Sequence, residues 1–470
     1  MKFEVKTALM SHQRDALSKQ AHTRIGALFM EMGTGKSLTT IALAHYRADR
    51  IRRVIWFEPV SVKRTIEQQI IRHTDCSMKD IYRFDDKTTA PTVPQDRQWY
   101  LIGIESMSAS ARLKFAAAAV ITVDSMVVVD ESTYIKGYRA ARTDWITAIA
   151  QKARYRLILT GTPLTQGVVD LFSQMRFLSP KILGYNSFYS FARNHLEYSD
   201  KFPGKIVRAH NTEYLAAKIQ PYVYQIQKAD CLDLPKKLYT TFHILMSVEQ
   251  QIAYDDAKEK TFDRLERDEF DSYAIFQLFT ELQKIVSGYT TDEEGGIIPI
   301  PHGRINALMN VIYEIPADHK VTIWAKFQYD IDSIVAALTA EYGPDCCARY
   351  SGQLTEKQRA VQIERFEQDA RFIVLTPSCG GHGLNQLVIS DYVIFYNNGF
   401  KYSERLQAED RNHRPGQMRT VTYIDIHCNQ SIDDRIEISL LNKGNVLAEF
   451  KDEVEKIKDK GKLKKLIQSL

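Results

Sequence analysis

The sequence predicts an α/β protein of two lobes, each a parallel sheet covered by helices, with a mostly helical region between them. Three observations carry this. Up to Pro163, short apolar runs rich in β-branched residues alternate with amphipathic stretches, the pattern of a parallel sheet covered on both faces. After Pro163 the composition turns aromatic and helical, and a second alternation starts near Lys320. The chain has 470 residues, enough for two cores of roughly 200 residues each.

In chain order, RIGALFM, RRVIWFEP, WYLIGIES, SMVVVDES and YRLILTGTP are expected to be buried strands, because both faces of each are apolar. KSLTTIALAHYRADR and VKRTIEQQIIRH carry helical spacing after the first two. These make lobe 1, residues 1–235, with a helical insertion over about 164–220. DLPKKLYTTFHILM is expected to be an extended crossing segment, and 236–300 combines it with helices over 248–290. Lobe 2, residues 301–470, takes the strands KVTIWAKF, CCARYSGQ, RFIVLTP, DYVIFYNN and TVTYIDIH and ends in a basic tail, Lys456–Lys465.

Composition excludes some classes. Hydrophobic residues make up 44% and charged residues 26%, ordinary globular values. The net charge of +4 is compatible with nucleic acid without indicating it. Cys76, Cys231, Cys346, Cys347, Cys379 and Cys428 are scattered without a C-x-x-C pair, so neither a zinc site nor a disulfide framework is indicated. No early apolar run resembles a signal peptide, and no uninterrupted apolar stretch suggests a membrane span. A cytoplasmic protein is expected.

MEMGTGKS, Met30 to Ser37, is the first chemical motif. It stands between a strand and a helix. Gly33 and Gly35 let successive N–H groups turn inward on phosphate oxygens, and the helix N-terminus adds its positive end. Met32, Gly33, Thr34 and Gly35 form the cradle. Lys36 supplies charge to the outer phosphates and Ser37 a hydroxyl for Mg²⁺. Met30 stands where the strict phosphate-loop pattern has its first glycine.

An ATP site also needs a second metal anchor and a base at a strand end. SMVVVDES offers Asp130 for Mg²⁺ and Glu131 to polarise water. LILTGTP places Thr160 and Thr162 near the same edge. Far along the chain, QAEDRNHRPGQ contains Arg411 and Arg414. If Glu404–His413 is helical, both arginines share a face, and Pro415 ends the helix. Arginines of this kind stabilise charge spread over a transferring phosphoryl group.

Taken in order, HQRDAL, MEMGTGKS, FEPVSV, VVVDEST, LILTGTPLTQGVVDLFSQMRFLSP, RFIVLTPSCGGHGLNQLVISDYVIFYNN and LQAEDRNHRPGQ resemble a superfamily 2 helicase-type ATPase of the Swi2/Snf2 branch. That branch shows Q-x-x-D-R-x-H-R-x-G-Q in the last motif, and every fixed position is present. The resemblance spans about residue 9 to residue 437. It implies two RecA-like lobes and ATP with Mg²⁺ as cofactors.

The resemblance also implies roles for particular residues. Gln13 reads adenine, Gln407 lies beside the nucleotide, and Arg411 and Arg414 act as arginine fingers. Gly380, Gly381, Gly383 and Asn385 match the motif linking nucleotide to nucleic acid. Pro59, Ser61, Ser106, Ser351, Gly352 and Thr376 fall where relatives grip the phosphate backbone. The implied activity is ATP-driven tracking along double-stranded DNA, forked or branched DNA included, without sequence preference. A strand-separating DNA or RNA helicase and an ATP-gated protein remodeller stay open as alternatives. The chain departs from the family where DEAH becomes DEST, with Thr133 for histidine, and where W-N-P becomes Phe400–Tyr402. No room for an accessory domain is seen before Leu9 or after about Ser439, so a minimal, stand-alone bacterial or viral form is expected.

Overall fold

The apolar runs pair in parallel, and each divides its side chains between two helix-covered faces. The computed structural model describes residues 1–161, 167–199, 206–267, 272–380, 384–455, 465–468 and 470. Gly381, Gly383, Thr162 and most of the lysine-rich tail lie outside them. The chain forms two compact units, Met1–Asp233 and Leu234–Leu470.

In the first unit seven strands are ordered Ile81–Arg83, Trp99–Gly103, Arg53–Glu58, Ser125–Val129, Tyr155–Thr160, Ile25–Met30 and Val223–Ile226. Every pairing among them is parallel. Successive side chains of a strand point to opposite faces, and the burial follows that period. Phe29, Phe57, Val127, Val129 and Ile158 join one apolar cluster. Leu28, Met30, Trp56, Val128 and Leu159 join the other. Each fully buried side chain of this kind contributes about 1.5–3 kcal/mol. The strands must therefore be apolar throughout, and alternation is absent from their sequence.

The segment after Gly161 is less helical than its composition suggests. Helices Val169–Leu178, Phe188–His195 and Thr212–Ile219 are present. Between the last two, Leu196–Tyr198 and Ile206–Ala209 pair antiparallel. Val223–Ile226 then returns to the first sheet.

The second unit repeats the plan with six parallel strands, ordered Lys237–Ile244, Val421–Cys428, Tyr392–Phe395, Val321–Trp324, Phe372–Leu375 and Cys347–Tyr350. Val321, Ile323, Phe372 and Val374 pack on one face. Trp324, Ile373, Leu375 and Val393 pack on the other. The segment expected to cross between lobes is thus the edge strand of this sheet. A third cluster lies among helices, where Phe279, Leu282, Phe400, Ile432 and Phe450 meet. Among the described residues no helix is long and apolar enough to cross a membrane.

One buried ion pair ties the second sheet to its helices. Arg304 is fully buried, donates to the Tyr396 carbonyl and pairs with Asp433. The same carboxylate accepts the Cys428 N–H at 3.1 Å. Removing one member of a buried pair strands the other charge. Arg304→Met is therefore expected to cost about 3–5 kcal/mol of stability, read by urea unfolding. A loss under about 1 kcal/mol would show that Asp433 does not need its partner.

Candidate nucleotide-binding site

The loop between strand Ile25–Met30 and helix Lys36–Tyr46 has the conformation of an anion cradle. Gly33 and Gly35 have φ of 83° and 86°, the left-handed region that favours glycine. A Cβ on Gly35 would also meet Gln13 Nε2 at 2.1 Å. Met30 is not among the positive-φ residues. No backbone demand for glycine exists there, and the Met30 side chain is buried in the core instead. The Lys36 ammonium donates to the Met30 carbonyl at 2.8 Å and lies 3.4 Å from that of Glu31, which holds it across the loop.

The loop is pinned from three sides. His12 Nε2 and Gln13 Nε2 donate to the Thr34 carbonyl at 2.8 and 3.1 Å. Thr34 Oγ1 donates to the Glu31 carbonyl at 2.7 Å. Glu31 Oε2 accepts the Lys228 N–H at 2.7 Å. Gln13 is 4% exposed. It supports the loop as the structure stands, and its amide oxygen accepts the Met10 N–H at 3.0 Å. Ser37 is half-buried at the first helical turn.

Strand Ser125–Val129 delivers the acids to the same edge. Asp130 accepts the Glu131 N–H at 2.9 Å. Burial pushes its carboxyl up to about 6, Lys36 pulls it down and Glu131 pushes it up. Glu131 has φ of 51°, uncommon for a non-glycine residue and costly by roughly 1–3 kcal/mol. Its Oε1 accepts from the Thr133 and Thr160 hydroxyls, both at 3.2 Å. Ser132 Oγ donates to Gln174 Oε1 at 2.6 Å, which ties the DEST turn to helix Val169–Leu178.

In the second unit, helix Tyr402–Asn412 carries Gln407, half-buried, and Arg411, 6% exposed. The helix ends before Arg414, so the two arginines do not share a helical face. His413 leaves helical geometry and donates to the Pro235 carbonyl at 2.7 Å. Arg414 Nη1 donates to Asn385 Oδ1 at 2.6 Å, joining two motifs that the sequence separates. Burial lowers the Arg414 pKa, and Asp410 opposes the shift.

The residues expected to meet nucleic acid differ in access. Ser61 is exposed and Ser106 half-buried at one sheet edge. Between them the Val60 N–H donates to Glu105 Oε2 at 3.0 Å. Pro59 is buried. Gly352 is exposed, whereas Ser351 and Thr376 are buried. Gly380 ends the short turn Pro377–Gly380.

Two site residues escaped the sequence analysis. His12 holds the loop next to Gln13. Glu58 is fully buried with neither oxygen hydrogen-bonded among the described residues. Burial, with Asp130 close by, pushes its carboxyl well above the ordinary range. The signal was present, since Glu58 ends an apolar strand just as Asp130 follows one.

Comparison with known proteins gives this geometry a context. The SNF2-related domain matches residues 12–289, and the helicase conserved C-terminal domain matches residues 303–416. The uncharacterized ATP-dependent helicase MG018 of Mycoplasma genitalium is 29% identical over 315 residues, covering 66% of this chain and 29% of that protein. The chromodomain-helicase-DNA-binding protein 1-like of Mus musculus is 24% identical over 423 residues, covering 86% and 45%. The chain thus spans under half the length of these relatives. The Pyrococcus furiosus Hef helicase domain shares the fold, with a TM-score of 0.54, 12% identity, and coverage of 92% of this chain and 97% of that one. Two sheets of seven and six parallel strands are two RecA-like lobes.

The raised Asp130 carboxyl makes a pH prediction. A carboxylate must be ionised to hold a metal, and this one loses its proton only as pH rises through about 6. If Asp130 holds Mg²⁺, the ion's affinity, measured with a fluorescent ATP analogue, is expected to level off above that pH. Below it, affinity should fall about tenfold per pH unit. A midpoint near the ordinary aspartate value would show that burial does not control this carboxyl.

Proposed function

The chain belongs to the SNF2-related family of helicase-like ATPases, and on that premise we propose that it is an ATP-dependent translocase on double-stranded DNA. One observation carries the reading. The loop Glu31–Gly35, Lys36, Asp130 and Glu131 come together at one carboxyl edge of one sheet, with Glu131 held in a backbone conformation that packing alone would not select.

The residues fit MgATP. The loop N–H groups and Lys36 take the phosphates, while Ser37 and Asp130 take Mg²⁺. When bound, the ion neutralises charge on the outer phosphates. Glu131, fixed through Oε1 by two hydroxyls, orients the attacking water and accepts its proton through the carboxylate. Arg411 and Arg414 of the second unit stabilise the negative charge that develops on the transferring group. In this mechanism Gln13 reads the adenine and Gln407 contributes beside the nucleotide. The metal assignment and these roles belong to this proposal.

Duplex DNA as the track is supported by the family, by a relative whose name includes DNA-binding, and by Ser61, Ser106 and Gly352, which remain accessible. Small hydroxyl and glycine positions suit phosphate contacts, which carry no base code. Ser351, Thr376, Gly380 and Pro59 then contribute backbone groups and shape. Alternating grip by two units on a regular phosphate spacing turns each hydrolysis into a step.

Lys36→Ala is expected to abolish ATP hydrolysis while the variant keeps the wild-type fold, read by far-ultraviolet circular dichroism. Glu131→Gln should keep binding and slow hydrolysis by about 10²–10⁴. Steady-state ATPase assays with no nucleic acid, single strands, duplex, fork and RNA should show stronger stimulation by the DNAs that contain duplex, continuous or forked, than by single strands or RNA. Stimulation by RNA alone would replace the track, and no stimulation by any polymer would favour a protein remodeller.

A further inference from the structure

Beyond the loop and the acids, the first unit contains an aromatic, cationic cleft of about 540 Å³. It lies between the turn before helix Ala141–Ala150, helix Phe188–His195 and the hairpin that follows. Tyr138 stacks on Phe188 with ring centroids 3.5 Å apart and planes 11° apart. Tyr189 meets Tyr138 edge-on and is 67% exposed. Arg139 donates to Tyr189 Oη at 2.7 Å, and its guanidinium lies 5.2 Å from the Tyr138 centroid. Arg193, one helical turn beyond Tyr189, is exposed and makes no ion pair among the described residues. Tyr198 on the hairpin closes the far side, and among the described residues no carboxylate lines the cleft.

The core does not require this arrangement. Phe172, Phe188 and Phe191 are buried and fill the apolar cluster, whereas Tyr189 and Tyr198 leave their rings in solvent. Exposed rings beside arginines suit a ligand that presents both a π-face and negative charge. In a paired duplex each base face is covered by its neighbours, so only an unpaired nucleotide offers one.

We propose that this cleft binds an unpaired nucleotide of DNA, its base stacked on Tyr189 and its phosphates met by Arg139 and Arg193. The inference rests on the DNA-translocase reading and extends it. The nucleotide site and the phosphate-gripping edge follow the duplex, and the cleft recognises where the duplex is interrupted. The enzyme then prefers gapped, forked or frayed DNA to a continuous duplex.

The test compares the full chain on two oligonucleotides carrying 2-aminopurine at the same position, one fully paired and one with that base unpaired in a gap. The wild type is expected to bind the gapped form more tightly and to quench its fluorescence. Tyr189→Ala should weaken gapped binding about tenfold and remove the quenching, while duplex affinity changes less than about twofold. Tyr189→Phe keeps the ring and should retain most of the preference. Arg193→Ala should weaken gapped binding and flatten its salt dependence by about one phosphate contact. Tyr189 is a surface side chain, so folding is not at stake. Unchanged gapped binding by Tyr189→Ala, equal losses on both DNAs, or tighter binding of RNA of the same sequence or of an acidic peptide at this cleft would each overturn the inference. Wild-type affinity for the duplex separately tests the translocase reading.

Discussion

Parallel pairing of the central strands is the constraint on which the rest of this molecule depends. When Ile25–Met30, Arg53–Glu58, Ser125–Val129 and Tyr155–Thr160 all run one way, their carboxyl ends must share one edge. The register places Phe29 opposite Thr160, and Phe57 opposite Val129. The residues just beyond, Glu31 to Gly35, Glu58, Asp130 and Gly161, therefore crowd together although the sequence spreads them over more than a hundred positions. Apolar burial along the strands supplies the free energy that holds polar and charged groups at this edge.

The crowding has electrostatic consequences. The carboxyls of Glu58, Asp130 and Glu131 gather at this edge, with the Lys36 ammonium acting on Asp130 and the Lys63 ammonium on Glu58. Burial first, and then repulsion between the carboxyls, raises Asp130 and Glu58, so that added positive charge at this edge is stabilising. The loop N–H groups next to it favour negative charge. A ligand with both signs, a polyphosphate with its divalent ion, satisfies the two requirements together. A ligand carrying only one sign would leave the other group of charges uncompensated.

Much of this was legible in the sequence, and the failures have physical causes. The buried strands, the loop and the acidic pair were visible because each depends on a local pattern. The segment from Asp233 onward is legible as extended, but its place as the edge strand Lys237–Ile244 of the second sheet is not, because its side chains are mostly exposed and burial leaves no period of two to read. Arg411 and Arg414 were expected on one helical face. The helix stops at Asn412 because His413 turns to the Pro235 carbonyl, and the residue before Pro415 is steered away from helical geometry. The bond from Lys228 to Glu31 joins residues 197 apart, which no short window can detect. Glu58 was overlooked since a carboxylate at a strand end is usually solvated, and only the structure shows it buried.

In the proposed mechanism, charge supplied by Arg411 and Arg414 is needed for the chemistry of the nucleotide held in the first unit. Rapid-quench measurement of single-turnover ATP hydrolysis by Arg414→Ala and by Arg411→Ala in saturating duplex DNA tests this most directly. Nucleotide affinity within a few-fold of wild type and a chemical step slower by about 10³ or more are expected. A chemical step within tenfold of wild type in Arg414→Ala and in Arg411→Ala alike would mean that the first unit hydrolyses ATP by itself, and would overturn that mechanism.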